Sequence, residues 1–145
     1  MAKASLVESD IEAGRLLLDE LKKIDSHFLV RSAFWLFRPE TFDWRLFIAT
    51  PLVDQRGPAS AYTDVQSALR ALQPPGWISM QDISVVSPND KLVRLMKKSV
   101  HIPNDRPGVR FARTRLDDTY IEDAYVYSLK PRWAQHIFKQ GRLAS

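Results

Sequence analysis

Lys91, Arg94, Lys97, Lys98, Arg106, Arg110, Arg113 and Arg115 crowd into residues 91–115 against a single acid, Asp105. The chemistry open to such a cluster is phosphate binding. Lys and Arg release the counterions of a polyanion, and the arginine fork grips phosphate oxygens in pairs. The first four fall on a short helical pattern and the others on a loop and a strand. Left uncompensated, they form a nucleic-acid or phosphate surface. The competing expectation is internal neutralisation, with Arg113 opposite Glu122 across a hairpin and Arg115 beside Asp117. Net charge runs −3 over residues 1–90, +7 over 91–115, −4 over 116–129 and +4 over 130–145, which gives the chain its +4.

A second cluster sits in residues 130–145, where Lys130, Arg132, Lys139 and Arg142 surround Trp133, Ile137 and Phe138. Large apolar groups in a terminal helix need a surface to cover. Lys130, Arg132, Trp133, Ile137 and Phe138 are therefore the partner-docking candidates, with the chain's own sheet, a second subunit, another protein or a lipid surface as the partner. Phe34, Trp35, Phe37, Trp44 and Phe47 could stack on bases, but aromatics at strand spacing more often build a core.

Catalytic and metal chemistry find little footing. The chain has no Cys, which removes disulfides, thiolate metal sites and thiol catalysis. His27, His101 and His136 have no metal-ligand spacing with one another or with an acid, and no cofactor is implied. Glu122 and Asp123 could serve a hydrolase or nuclease, yet neighbours on a strand point to opposite faces and share a pocket only through a bulge. Asp123, facing Ala112 in the expected register, is a candidate buried acid. No Gly-rich phosphate loop or nucleophile elbow occurs.

These side chains need elements to hold them. A chain of 145 residues forms one domain, here 1–129, followed by the basic tail 130–145. Ile11, Leu17, Leu18, Leu21 and Ile24 recur at helical spacing behind Ser5 or Ser9 as a cap. Residues 29–38 and 43–50 read as a hairpin that sets Arg38 opposite Asp43, Phe37 opposite Trp44 and Phe34 opposite Phe47. Both of its faces are apolar, so it must be central or covered on both sides, one of them by a partner chain if need be. Pro51 and Asp54-Gln55-Arg56-Gly57 end it. Pro58 opens a helix with Tyr62, Val65, Leu69 and Leu72 buried, and Pro74-Pro75-Gly76 stops it.

Residues 83–86 form a short strand. Ser87 caps a helix with Pro88 in its first turn, and Leu92, Leu95, Met96 and Val100 make the apolar side. A second hairpin pairs Val109–Leu116 with Thr119–Leu129 around Asp117-Asp118, setting Arg115 opposite Tyr120 and Arg110 opposite Tyr125. The order predicts an α+β fold: about five mostly antiparallel strands in one sheet with three helices packed on it, and a helical tail.

Ala33-Phe34-Trp35-Leu36, Asp43-Trp44-Arg45-Leu46, Thr50-Pro51-Leu52-Val53-Asp54 with Gly57, Ile83-Ser84-Val85-Val86-Ser87-Pro88 and Ala124-Tyr125-Val126-Tyr127 resemble segments of a family of short bacterial hypothetical proteins. The resemblance spans about residues 8–129. It implies no activity and transfers no catalytic residue.

Neither a signal peptide nor an apolar run long enough to span a bilayer is visible, and a cytoplasmic protein is expected. The leading functional expectation is a small interaction module, acting as a homo-oligomer such as a homodimer or as a subunit of a larger assembly. The alternatives are a nucleic-acid-binding protein using residues 91–115 and the tail, and a hydrolase or nuclease with an acidic site.

Overall fold

A computed structural model describes residues 5–24, 28–72, 78–103 and 105–129. The elements in chain order are α1 (Glu8–Ile24), β1 (Ser32–Arg38), β2 (Asp43–Ala49), α2 (Leu52–Arg56), α3 (Pro58–Ala71), a 3-10 turn (Met80–Asp82), β3 (Ile83–Val86), α4 (Lys91–Ser99), β4 (Val109–Leu116) and β5 (Thr119–Leu129). They build an α+β fold around one five-stranded sheet of order β3-β2-β1-β5-β4. The Pro74-Pro75-Gly76 stop and the tail 130–145 lie outside the described residues.

The first hairpin has the expected register, from Arg38 opposite Asp43 to Ala33 opposite Ile48. Arg38 donates twice to the Asp43 carboxylate, at 3.0 and 2.7 Å, and the Thr41 hydroxyl adds a bond of 2.5 Å. These donors hold the Asp43 carboxyl below its ordinary range, the hydrogen bonds from Arg38 acting most strongly. β3 pairs with β2 in parallel, the one such pair among the described strands. Its helical crossover through α2 and α3 is what a parallel pair requires. Arg45 pins the junction by donating to the carbonyls of Gln81 and Ile83 and to the Ser84 hydroxyl.

Two sequence-based expectations shift locally. The hairpin ends before Pro51 as expected, but Leu52 finds a buried position and the segment up to Gly57 winds into α2, for which no helix was expected. Ser87 was expected as the cap of α4. Instead Asp90 caps it, its carboxylate accepting from the amides of Leu92 and Val93, and the helix starts at Lys91. A carboxylate beside orphan helix amides is the stronger acceptor. Ser87 is drawn off to Asp54, to which it donates at 2.7 Å. At the other end of the chain, α1 starts at Glu8, one residue ahead of Ser9, and the Val7 amide donates to Asp10.

Both faces of the sheet are apolar, and the same chain covers both. The first face carries Ala33, Trp35, Trp44, Leu46, Ile48, Ile83 and Val85 under α1 and α3. Gly14 lets α1 come close: a Cβ there would overlap the Tyr127 hydroxyl. That hydroxyl accepts from the Trp35 indole at 2.8 Å and donates to the Ile11 carbonyl at 2.7 Å. Tyr127 occupies the extra position created where the β1–β5 register slips between Ala33 and Phe34. Burial pushes its phenol pKa well above the ordinary value, so it stays a neutral donor.

The second face carries Phe34, Ala49, Leu116, Ile121, Ala124 and Val126 under Val93, Leu95 and Met96 of α4. Phe34 stacks on Phe47 with ring centroids 5.2 Å apart. The cover expected on both sides of the first hairpin is supplied on this side by α4 of the same chain. A helix of nine residues is short, and Leu36, Phe47, Val86, Phe111 and Leu129 remain half-buried around it.

Candidate functional site

The second hairpin also has the expected register, including Arg115 opposite Tyr120, Arg110 opposite Tyr125 and Ala112 opposite Asp123. The ladder breaks between these pairs at Arg113, whose φ of 49° is left-handed. Before the break Phe111 and Ala124 face the second core; after it Leu116 and Ile121 do. Two core-facing residues on β5 are therefore three apart instead of an even number. The hairpin rolls by half a pleat at Arg113–Glu122.

This roll puts Glu122 and Asp123 into the same cleft, which a regular strand forbids. The cleft has a volume of about 320 Å³ and opens on the first face beside the start of α1. Phe37 and Trp44 give it an apolar side, Leu6 a wall, and Arg110 and Arg113 the rim. Arg110 lies over the Trp44 ring at 5.4 Å, bonds both oxygens of Asp123 at 3.3 and 3.1 Å, and donates to the Leu6 carbonyl. Each contact fixes Arg110 as a strut rather than a free cation. Asp123, expected as a buried acid, is half-exposed and held in this pair.

The basic block divides into paired and unpaired members. Lys98 meets Asp117 at 3.2 Å and Lys91 meets Asp118 at 3.8 Å, which ties α4 to the hairpin turn. These lysines are 72% and 84% exposed, so the pairs contribute little. Lys97 also has a partner. Arg94, Arg106, Arg113 and Arg115 are exposed and enter no ion pair among the described residues. The anticipated Arg113–Glu122 and Arg115–Asp117 pairs do not form. Left-handed backbone turns Arg113 away from a regular cross-strand position, and Asp117 is taken by Lys98. The eight cations consequently do not form one uniform surface. Lys130, Arg132, Trp133, Ile137 and Phe138 lie outside the described residues.

Of the five aromatics considered for base stacking, Phe34, Trp35 and Trp44 are core, and Phe47 belongs to the second face. Phe37 and Trp44 both line the cleft, Trp44 buried and Phe37 with a half-buried ring. The Phe37 ring centroid lies 5.5 Å from that of Phe42, edge to face. Phe42 is 68% exposed at φ 53°, and Tyr120, opposite Arg115, is 50% exposed. The sequence signal for Phe42 was a bulky apolar residue inside a turn, where a polar one or Gly is usual.

The two carboxylates of the cleft are not equivalent. Asp123 is engaged by Arg110, leaving Glu122 as the carboxylate in the cleft without an ion pair among the described residues. No group of three His, Asp or Glu among the described residues is placed to hold a metal ion. No described helix is long and apolar enough to cross a membrane. No family model, no curated protein and no solved structure matches this chain.

Proposed function

We propose that this chain is a small interaction module that assembles as a homodimer through the second face of its sheet. The observation that carries the reading is the ring of half-buried apolar side chains, Leu36, Phe47, Val86, Phe111 and Leu129, around the short α4. Burying such a ring removes apolar surface from water at ~25 cal/mol per Å². Leu129 ends β5 within this cluster, and Trp133, Ile137 and Phe138 follow within nine residues of it in the sequence. In this reading the docking candidates Lys130, Arg132, Trp133, Ile137 and Phe138 contribute to the contact between subunits.

Light scattering of the full chain across a hundredfold range of concentration tests this. The expected mass is twice the 16.7 kDa of one chain. Replacing Trp133 and Ile137 together by Ser is expected to return a folded monomer. A monomer at every concentration, or a dimer indifferent to that double substitution, overturns the reading.

A further inference from the structure

The cleft on the opposite face has a different character. Its Phe37 wall has the exposed Phe42 ring packed edge-on against it, Arg113 stands at its rim, and its Glu122 carboxylate enters no ion pair among the described residues. We propose that it binds single-stranded nucleic acid, with a base lodged against Phe42 and Phe37, its exocyclic amino group donating to Glu122, and backbone phosphates held by Arg113 and Arg115. The proposal stands independently of dimerisation through the second face.

Each part of the site has a reason to bind this class of ligand. Phe42 offers a ring that is two-thirds exposed, held edge-on by Phe37 at 5.5 Å. A base stacks on such a ring whatever its identity, and only an unpaired base has a free face to offer. Arg113 and Arg115 are exposed and free of ion pairs among the described residues. Arg113 stands at the rim of the cleft, and Arg115 follows two residues later on β4, opposite Tyr120. Exposed Tyr120, opposite Arg115, supplies a second aromatic further along the hairpin.

Glu122 narrows the ligand. A carboxylate beside a phosphate-binding rim repels a polyanion unless it is satisfied by a donor. Exocyclic amino groups of cytosine and adenine are such donors, and thymine and uracil lack them. The same carboxylate argues against an acidic peptide, which would bring only further negative charge and no planar ring for Phe42. Arg110 does not join the phosphate contacts, because Asp123 and Trp44 hold it as the wall of the cleft. A cleft of about 320 Å³ admits a nucleobase but not a duplex.

Fluorescence anisotropy of the full chain with labelled 15-mers of dC, dA and dT at ~50 mM salt tests the assignment. Binding is expected to favour dC and dA over dT, and to weaken with salt at a log–log slope near −0.7 per phosphate engaged. Phe42→Ala is expected to weaken dC binding roughly 5- to 150-fold, the fold-change equivalent of ~1–3 kcal/mol for one stacked base. Arg113→Gln with Arg115→Gln is expected to weaken it about tenfold and flatten the salt slope by about 1.4. Glu122→Gln is expected to erase the preference over dT.

Circular dichroism melts confirm that each of these surface variants is folded. No anisotropy change at low salt overturns the proposal. So does binding that ignores Phe42→Ala, which would place the nucleic acid on α4 or the tail. Equal competition by poly-glutamate would reassign the cleft to acidic protein and also overturn it.

Discussion

The two faces of the sheet solve the same burial problem with unequal means. The first face lies under a 17-residue and a 14-residue helix and contains one hydrogen-bonded chain from Trp35 through Tyr127 to Ile11. The second lies under nine residues of α4, anchored at its start by Asp90 and at its sides by exposed lysine–aspartate pairs. Half-buried apolar side chains fringe both faces, but the first has two long helices and a buried polar lock where the second has one short helix. The difference places the polar lock on the first face, and the dimer proposed above would use the second.

The largest test of this contrast is Trp35→Ala, expected to cost about 3–5 kcal/mol in denaturant melts. Met96→Ala, on the second face and equally buried, is expected near the lower end of the ~2–5 kcal/mol range for core truncations. A Met96 variant as damaged as the Trp35 variant would break the contrast. Tyr127→Phe leaves the Trp35 indole N–H without an acceptor, takes the second of two donors from the Ile11 carbonyl, and is expected to cost about 1–3 kcal/mol. A loss much below that range would mean water reaches those groups and the lock is not closed.

Asp90→Ala removes the cap of α4 and is expected to cost about 1 kcal/mol, with faster amide exchange in α4 and none of that acceleration in α1. Acid adds a finer probe. The depressed carboxyl of Asp43 contributes stability that is fully present above its unfolded value of ~4. That contribution is lost as pH falls through the lower folded value. Asp43→Asn is therefore expected to be less stable at neutral pH and to show a shallower decline in Tm below pH 4. The smallest effect belongs to Lys98→Ala, within about 0.5 kcal/mol and vanishing in high salt.

Much of the fold was legible because aromatic and β-branched runs separated by turn residues constrain both hairpin registers. Arg38 opposite Asp43 and Arg110 opposite Tyr125 followed from counting residues across a turn. The parallel placement of β3 was not legible, since four residues carry no sign of direction. Nor was the choice of Asp90 over Ser87 as cap, which depends on Asp54 arriving from a distant element. The cleft was hidden for the same kind of reason. Reading β5 as an even alternation separates Glu122 from Asp123, whereas the roll opposite the left-handed Arg113 brings both to the cleft. No local residue preference announces that turn, because arginine carries no special tolerance for it.

The roll at Arg113 has a further consequence at the border of the sheet. β4 is an outermost strand, and its outer backbone groups could template pairing with a strand from another molecule. A left-handed residue in mid-strand interrupts that row, and Arg110, Arg113 and Arg115 would bring like charges together in a self-pairing. The distortion that shapes the cleft thereby also blunts the longer of the two free borders against fibrillar growth.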